Sequence, residues 1–595
     1  MSILEKYKNP KDVPQELLGV YCRAIRRFLL QNISRSGGHL ASNLGVVELT
    51  VALHRVYSTE RDRLVFDVGH QSYVHKLLTE RGEDFKTFRT LGGLSGFTKP
   101  SESKHDAFIS GHASTAVSAA LGMARARTLM GRKYRVAAVL GDGALTGGLA
   151  YEGLCDAGQS GEPLVVVLND NDMSISHNVG AIADQLTRLR LKPRYFTAKK
   201  VYHAMIDGMP GGKRIDAGLR SLKDRLRDAV VPGTFFEQFG FVYLGPVDGH
   251  NVTELEFLLR QAISMKKPVL IHALTIKGKG YSPAEEHPSD FHGVGRFDLE
   301  TGHIESKSAS FSSVFGEALC QLAQENPRIC AVTAAMPDGT GLTPFAERFP
   351  ERFFDVGIAE GHAVTMAAGL AKQGLRPVVA VYSTFLQRAY DQMLHDVGIL
   401  GLPVVLAVDR ADLVGEDGET HHGLFDPRFL SDVPDLTLLA PSSFAELRAM
   451  LRKAFTLKGP VAIRYPRGSE GAYTDCRLGV ACLKEGSEVT LVTYGVMVNE
   501  ALAAAGQLEK SGASVKVIKI DTLKPFESEE TKKMLQGRVF LLEENSGILS
   551  RYLPGIPLNT GDRFVPHGSR TELLKYCGLD AESIAETVER VLAQT

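Results

Sequence analysis

The chain has 595 residues, enough for roughly three or four domains at about 150 residues each, and its 68 Lys+Arg against 69 Asp+Glu leave a formal net charge of −1. That balance creates no long-range field for nucleic acid or an anionic membrane, and 44% hydrophobic with 23% charged residues is an ordinary globular composition that excludes dominant disorder. The seven cysteines are scattered without a Cys-x-x-Cys pair, which excludes a zinc knuckle or disulfide framework and points to a reducing compartment.

In chain order, the N-terminus Met-Ser-Ile-Leu-Glu-Lys has no apolar leader, and no apolar run approaches the ~20 residues of a membrane span. A cytoplasmic protein with no membrane and no nucleic-acid partner is expected. Strand-like runs at 135–140, 163–168 and 268–275 are followed by others at 377–382 and 403–409, then 488–493 and 515–520, with helix-length stretches between them. This alternation predicts an α/β chain whose mainly parallel sheets are flanked by helices. The basic stretch 178–231 has no strand-like run and reads as a solvated insert. A polar, Gly/His/Pro-rich connection at 278–313 and a second break at 468–485 divide the chain into domains 1–305, 306–480 and 481–595.

Gly141-Asp142-Gly143-Ala144 directly follows the first of these runs, and Asn169-Asp170-Asn171 ends the next, placing Asp142 and Asn171 29 positions apart. In a βαβ unit both sit at carboxyl ends of neighbouring parallel strands, where open α/β sheets bind ligands. One carboxylate and one amide oxygen suit Mg²⁺, which takes few protein ligands and completes its shell with phosphate oxygens and water. This pairing resembles the fingerprint of thiamine-diphosphate enzymes. Gly-His junctions at Gly38-His39, Gly69-His70 and Gly111-His112, with Phe291-His292, fall in the same predicted domain. Further on, Glu360 stands where a long helix begins and is the candidate carboxyl for the aminopyrimidine, Phe385 is placed to stack on that ring, and Arg410 and Arg464 lie at strand ends as phosphate clamps.

From Gly38-His39 to its C-terminal block the chain resembles the 1-deoxy-D-xylulose-5-phosphate synthases, a transketolase-related family. The resemblance rests on Asp67-Val68-Gly69-His70-Gln71-Ser72-Tyr73, Gly93-Leu94-Ser95-Gly96-Phe97, Gly141-Asp142-Gly143-Ala144-Leu145-Thr146-Gly147-Gly148, Tyr382-Ser383-Thr384-Phe385-Leu386-Gln387-Arg388 and Thr420-His421-His422-Gly423. It implies a transketolase-like, thiamine-diphosphate-binding fold and a homodimer. It also implies a transferase that condenses pyruvate with D-glyceraldehyde 3-phosphate, releasing CO2 and giving 1-deoxy-D-xylulose 5-phosphate for isoprenoid and thiamine synthesis. By the same resemblance, Asp142 and Asn171 hold Mg²⁺ with the Met173 carbonyl, while His70, Gly111, His112, Ala113, Gly143, Ala144, Asn171 and Lys277 or Tyr281 surround the cofactor. Glu360 activates it and Phe385 stacks on it. His39, His292 and His421 are polar or proton-transfer groups, with Asp417 nearby, and Arg410 with Arg464 takes the aldehyde phosphate, Arg467 being the alternative. One departure is Gly361, where the family commonly has Gln. A transketolase, a 2-oxo acid dehydrogenase component and a catalytically silent paralogue are the rival readings.

Overall fold

A computed structural model describes residues 3–171, 186, 234–304 and 308–594. Met173 and, apart from Leu186, the basic segment 178–231 lie outside the described residues. The chain divides into two compact units, Met1–Lys86 with Gly96–Ile304, and Thr87–Ser95 with Glu305–Thr595. The division is not linear, because the short stretch 87–95 goes with the second unit.

The first unit is built on five parallel strands, β1 (Arg63–Phe66), β2 (Val136–Gly141), β3 (Val165–Asp170), β4 (Val242–Asp248) and β5 (Val269–Leu274), in the order β1-β2-β3-β5-β4. Strands covered on both faces need apolar residues at successive positions, and β2 and β3 are accordingly near-continuous buried runs, VAAVLG and VVVLND. The β2–β3 register pairs Gly141 with Asn169, so the chain leaves the two strands side by side at Asp142 and Asn171. The helix Ala116–Leu129 begins on a carboxylate: Asp67, just past β1, accepts from the Ser114 N–H at 2.7 Å and the Ala116 N–H at 2.9 Å. That anion satisfies helix-end donors and fixes the preceding 111–114 loop.

The second unit holds two sheets. One contains β6 (Ile329–Thr333), β7 (Phe353–Asp355), β8 (Arg376–Tyr382), β9 (Val405–Ala411), β10 (Thr437–Leu439) and β11 (Val461–Pro466), parallel throughout, with β15 (Thr522–Lys524) added antiparallel at the β10 edge. The other contains β12 (Ala481–Lys484), β13 (Val489–Tyr494), β14 (Val515–Ile520), β16 (Arg538–Leu542) and β17 (Ile556–Leu558), parallel apart from β12. The expected α/β class with mainly parallel, helix-flanked sheets is what the chain adopts. Phe311, Phe315, Leu319, Phe345, Leu447 and Tyr465 pack one core of this unit, and Leu491, Ala504, Val517, Phe540 and Ile584 a second. These cores hold the strand ends that carry the polar residues described next.

Candidate active site

In the first unit, Asp142 and Asn171 meet as the register requires: the Asn171 N–H donates to Asp142 Oδ2 at 3.0 Å, while Oδ1 accepts from the Gly143 N–H at 2.9 Å. Gly143 and Ala144 form a buried turn after Asp142, and the Ser114 hydroxyl donates to the Ala144 carbonyl at 2.8 Å, joining this turn to Gly111-His112-Ala113. Lys277, 5% exposed, is the nearby cation: burial pulls its ammonium down to about 8, while the Asp142 charge opposes that fall. Tyr281 instead donates its hydroxyl to the Leu299 carbonyl at 3.1 Å and packs edge-on against Phe291. The donor set fits a hard metal on a diphosphate: a carboxylate and an amide as oxygen ligands, a buried positive charge, and a glycine turn at the end of β2. Among the described residues no group of three or more His, Cys, Asp or Glu side chains converges as a metal site.

Three imidazoles gather in the same unit. His39 lies 5.4 Å from His70 and 5.6 Å from His292, and His70 lies 5.2 Å from His292, all between ring centroids. Reciprocal backbone hydrogen bonds between Gly38 and Val294, 2.9 and 3.0 Å, bring His39 and His292 together. Gly69 brings His70: at φ +78° it presses on Ser110, whose hydroxyl oxygen would stand 1.6 Å from an added Cβ, so no larger residue fits. Burial holds the His292 imidazole well below its ordinary value, with the Lys277, His70 and His39 charges adding to the effect, so it stays neutral.

In the second unit, Asp355 at the end of β7 accepts from the Ala335 N–H at 2.8 Å and the Gly357 N–H at 3.0 Å, shaping the turn that delivers Glu360 as first residue of the helix Glu360–Lys372. Glu360 is 4% exposed. Burial raises its carboxyl above the ordinary range, partly opposed by Arg388 at 3.6 Å, so it can keep a proton at higher pH than a surface carboxyl. Phe385 follows β8 as expected, stacked on Tyr382 at 5.7 Å and edge-on to His421 at 5.5 Å. Burial lowers the basicity of His421 against the pull of Asp417, and Asp417 receives Arg89 at 2.7 Å.

The arginines divide. Arg410, at the end of β9 with φ +56°, lies over the Tyr382 ring at 4.1 Å; its Nη1 donates to Ser312 Oγ at 3.0 Å, Asp409 Oδ1 at 2.6 Å and the Gly339 carbonyl. Arg467 is largely exposed, with 44% of its side chain accessible and contacts no closer than 3.4 Å, to Glu416. The expectation for Arg464 is corrected: it is 2% exposed and enclosed by two carboxylates. Its Nε donates to Asp426 Oδ2 at 2.7 Å and its Nη2 to Asp412 Oδ1 at 2.7 Å, with further bonds at 3.2 and 3.3 Å. Four of its five N–H donors point at these carboxylates and its side chain is 1% exposed, so it presents no open edge to a phosphate.

Sequence reasoning did not single out Arg89, Tyr382, Arg388, Asn43 or Tyr73. Tyr382, Arg388 and Tyr73 stand inside the quoted strings and could have been weighed there; Arg89 and Asn43 carry no local signal.

Three family models match the chain in succession: 1-deoxy-D-xylulose-5-phosphate synthase over residues 1–275, the transketolase pyrimidine-binding domain over 307–471 and the transketolase C-terminal domain over 479–551. Among curated relatives, the 1-deoxy-D-xylulose-5-phosphate synthase of Carboxydothermus hydrogenoformans is 47% identical, across 100% of this chain and 99% of that protein. The protein of the same name from Heliobacterium modesticaldum is 48% identical, across 99% of this chain and 96% of that one. Among solved structures, a transketolase from Campylobacter jejuni is 19% identical over 97% of this chain and 100% of that chain, with a TM-score of 0.44.

Proposed function

The chain belongs to the 1-deoxy-D-xylulose-5-phosphate synthase family, transferases of the transketolase type that use thiamine diphosphate and Mg²⁺, and we propose the following roles for its residues in that reaction. Pyruvate loses CO2, and its remaining two carbons join D-glyceraldehyde 3-phosphate to give the five-carbon 1-deoxy-D-xylulose 5-phosphate, a precursor for isoprenoids. Thiamine diphosphate, when bound, supplies the electron sink for the pair left behind by CO2.

Asp142 and Asn171 would hold the Mg²⁺; Met173, the third expected ligand, lies outside the described residues. Gly111, His112, Ala113, Gly143 and Ala144 would line the diphosphate and Lys277 would supply a buried cation, with Tyr281 retained as a less direct candidate. Glu360 holds a proton for exchange with the aminopyrimidine ring nitrogen, and Phe385 gives that ring a flat apolar surface. His39 and His292 in the first unit, and His421 beside Asp417 in the second, are the polar or proton-transfer groups of this proposal, and His70 is a cofactor-binding residue. Arg410 and Arg467 are proposed to take the aldehyde phosphate: Arg410 stands near the end of β9 and Arg467 directly follows β11, the strand paired with β9. We propose the division 1–305, 306–480 and 481–595: each segment carries the bulk of one sheet, although β15 of the third adds to the sheet of the second. A homodimer and a cytoplasmic location complete the proposal, the latter supported by seven free cysteines. No helix among the described residues is long and apolar enough to cross a membrane.

Glu360 carries this reading, because a carboxyl buried to 4% exposure without a full ion pair destabilises the fold unless it serves a ligand. The test is CO2 release from pyruvate with thiamine diphosphate and Mg²⁺, with and without glyceraldehyde 3-phosphate, for the native chain and Glu360→Gln. Release with formation of a deoxypentulose phosphate, lowered about 10²–10⁴-fold in the variant, is expected. Full activity in Glu360→Gln, or turnover only with a ketose phosphate donor, would overturn it.

A further inference from the structure

His39 is held on one side by a group that the reaction scheme leaves idle. Tyr73 opens the helix Tyr73–Leu78 and is fully buried. Its hydroxyl oxygen accepts the His39 backbone N–H at 3.0 Å and lies 3.2 Å from His39 Nδ1. We propose that Tyr73 is a positioning residue whose hydroxyl fixes His39 in the tautomer with its hydrogen on Nε2.

A phenol has one hydrogen to donate. In the assigned arrangement the phenol oxygen accepts the backbone N–H and directs its own hydrogen to Nδ1, which acts as acceptor, so that the neutral imidazole carries its hydrogen on the opposite ring edge. The frame around this contact is rigid. Asn43, with no exposed surface, donates from Nδ2 to the His39 carbonyl at 2.7 Å and the His70 carbonyl at 2.6 Å, while its Oδ1 accepts the Tyr73 N–H at 2.9 Å. One amide therefore ties both histidine-bearing turns to the helix that carries the phenol. Removing the hydroxyl leaves the ring packing on Phe85, 6.4 Å away, in place and frees His39 to exchange tautomers. A histidine divided between tautomers spends part of its time with the wrong nitrogen protonated.

The inference rests on the proposed proton-transfer role of His39, and the test separates the two. Steady-state kinetics on the Mg²⁺- and thiamine-diphosphate-loaded enzyme compare Tyr73→Phe, His39→Ala and the double variant, with cofactor affinity measured by calorimetry. Tyr73→Phe is expected to lower kcat about 10-fold or more. Both KM values and the cofactor affinity stay within about twofold, and the same change costs less than about twofold in the His39→Ala background. Ring ¹⁵N spectra of histidine-labelled enzyme supply a readout independent of turnover: the signal lost in His39→Ala shows an unprotonated Nδ1 in the native chain and an averaged shift in Tyr73→Phe. Equal losses in both backgrounds, or an unchanged His39 signal in Tyr73→Phe, would overturn the tautomer assignment. An unchanged kcat in His39→Ala removes the His39 role itself, and the positioning role with it.

Discussion

Arg464 and Arg467 are separated by two residues, and the structure gives them opposite work. Substituting Arg464 by Met removes four hydrogen bonds and leaves Asp412 and Asp426, 5% and 0% exposed, facing one another without their cation. Breaking a buried pair in this way costs about 3–5 kcal/mol. At roughly 2–4 °C per kcal/mol for a domain of this size, the melting temperature falls by about 6–20 °C. Asp426 already lies above its ordinary carboxylate range through burial, and losing Arg464 pushes it further, so part of the cost is met by protonation and the loss is larger at pH 8 than at pH 5. Arg467→Met breaks only contacts of 3.4 Å or longer, and its stability stays within about 0.5 kcal/mol of native. Its cost appears in binding. A charge-assisted hydrogen bond to phosphate is worth about 1.5–3 kcal/mol, which raises KM for glyceraldehyde 3-phosphate by about 10–150-fold and leaves KM for pyruvate unchanged. The assay is thermal unfolding at both pH values alongside kinetics with each substrate varied in turn. A native melting temperature for Arg464→Met with a raised aldehyde KM, together with an unchanged KM for Arg467→Met, would refute the assignment.

Gly361 and Glu543 give two further expectations. An added Cβ at Gly361 meets the Gln392 amide at 3.4 Å, an ordinary contact, so Gly361→Ala is expected to raise stability by about 0.5–1 kcal/mol through the helix; thermal unfolding with kcat checks this, and a kcat more than about tenfold lower would show that Glu360 needs the empty space beside it. Glu543 is pushed from 4.5 up to about 7 by burial, although it accepts from the Ile548 and Leu549 N–H groups and the Tyr494 hydroxyl. Between those values the folded chain keeps a proton that the unfolded chain releases, so this group makes stability fall as pH rises to about 7 and stay level above it. Glu543→Gln should flatten that slope and raise the melting temperature at pH 8 relative to the native chain, with little change at pH 5; a native slope in the variant would discard the assignment.

Long parallel strands were legible because burial on both faces writes itself into sequence as an unbroken apolar run: 515–520 is β14 residue for residue, and 135–140 misses β2 by one position at each end. Strands of three residues, such as β10 and β15, contain no period to read. Their pairing is also non-local, since β15 follows β14 in the chain yet adds to the sheet of β10. The stretch 87–95 shows the same limit. Arg89 reaches Asp417 across 328 positions of sequence, and the His567 imidazole lies 3.0 Å from the Gly93 carbonyl across 474, contacts that no window of local pattern contains. The site divides along the same line. Asp142, Asn171 and Glu360 could be proposed from sequence because strand and helix ends are where α/β folds expose polar groups to ligands. Arg464 was misread because its partners stand 52 and 38 positions away.

The backbone adds a constraint that residue types conceal. Val68, Ser114, Arg410 and Asp412 all have positive φ, between 56 and 70°, although none is glycine. Each such residue costs about 1–3 kcal/mol and persists only where its surroundings over-determine it. Ser114 is held by the Asp67 carboxylate on its N–H and by its own hydroxyl on the Ala144 carbonyl. Asp412 is held by reciprocal backbone hydrogen bonds with Gly423, both 2.8 Å, and by the Arg464 guanidinium. Three of the nine described non-glycine residues with positive φ adjoin or are residues expected to bind ligands: Val68 precedes Gly69-His70, Ser114 follows Ala113, and Arg410 is itself a proposed phosphate ligand. Buried ion pairs such as Arg464 with Asp412 thus hold the strand ends in conformations the local chain disfavours, and the side chains that meet substrate inherit their direction from that restraint.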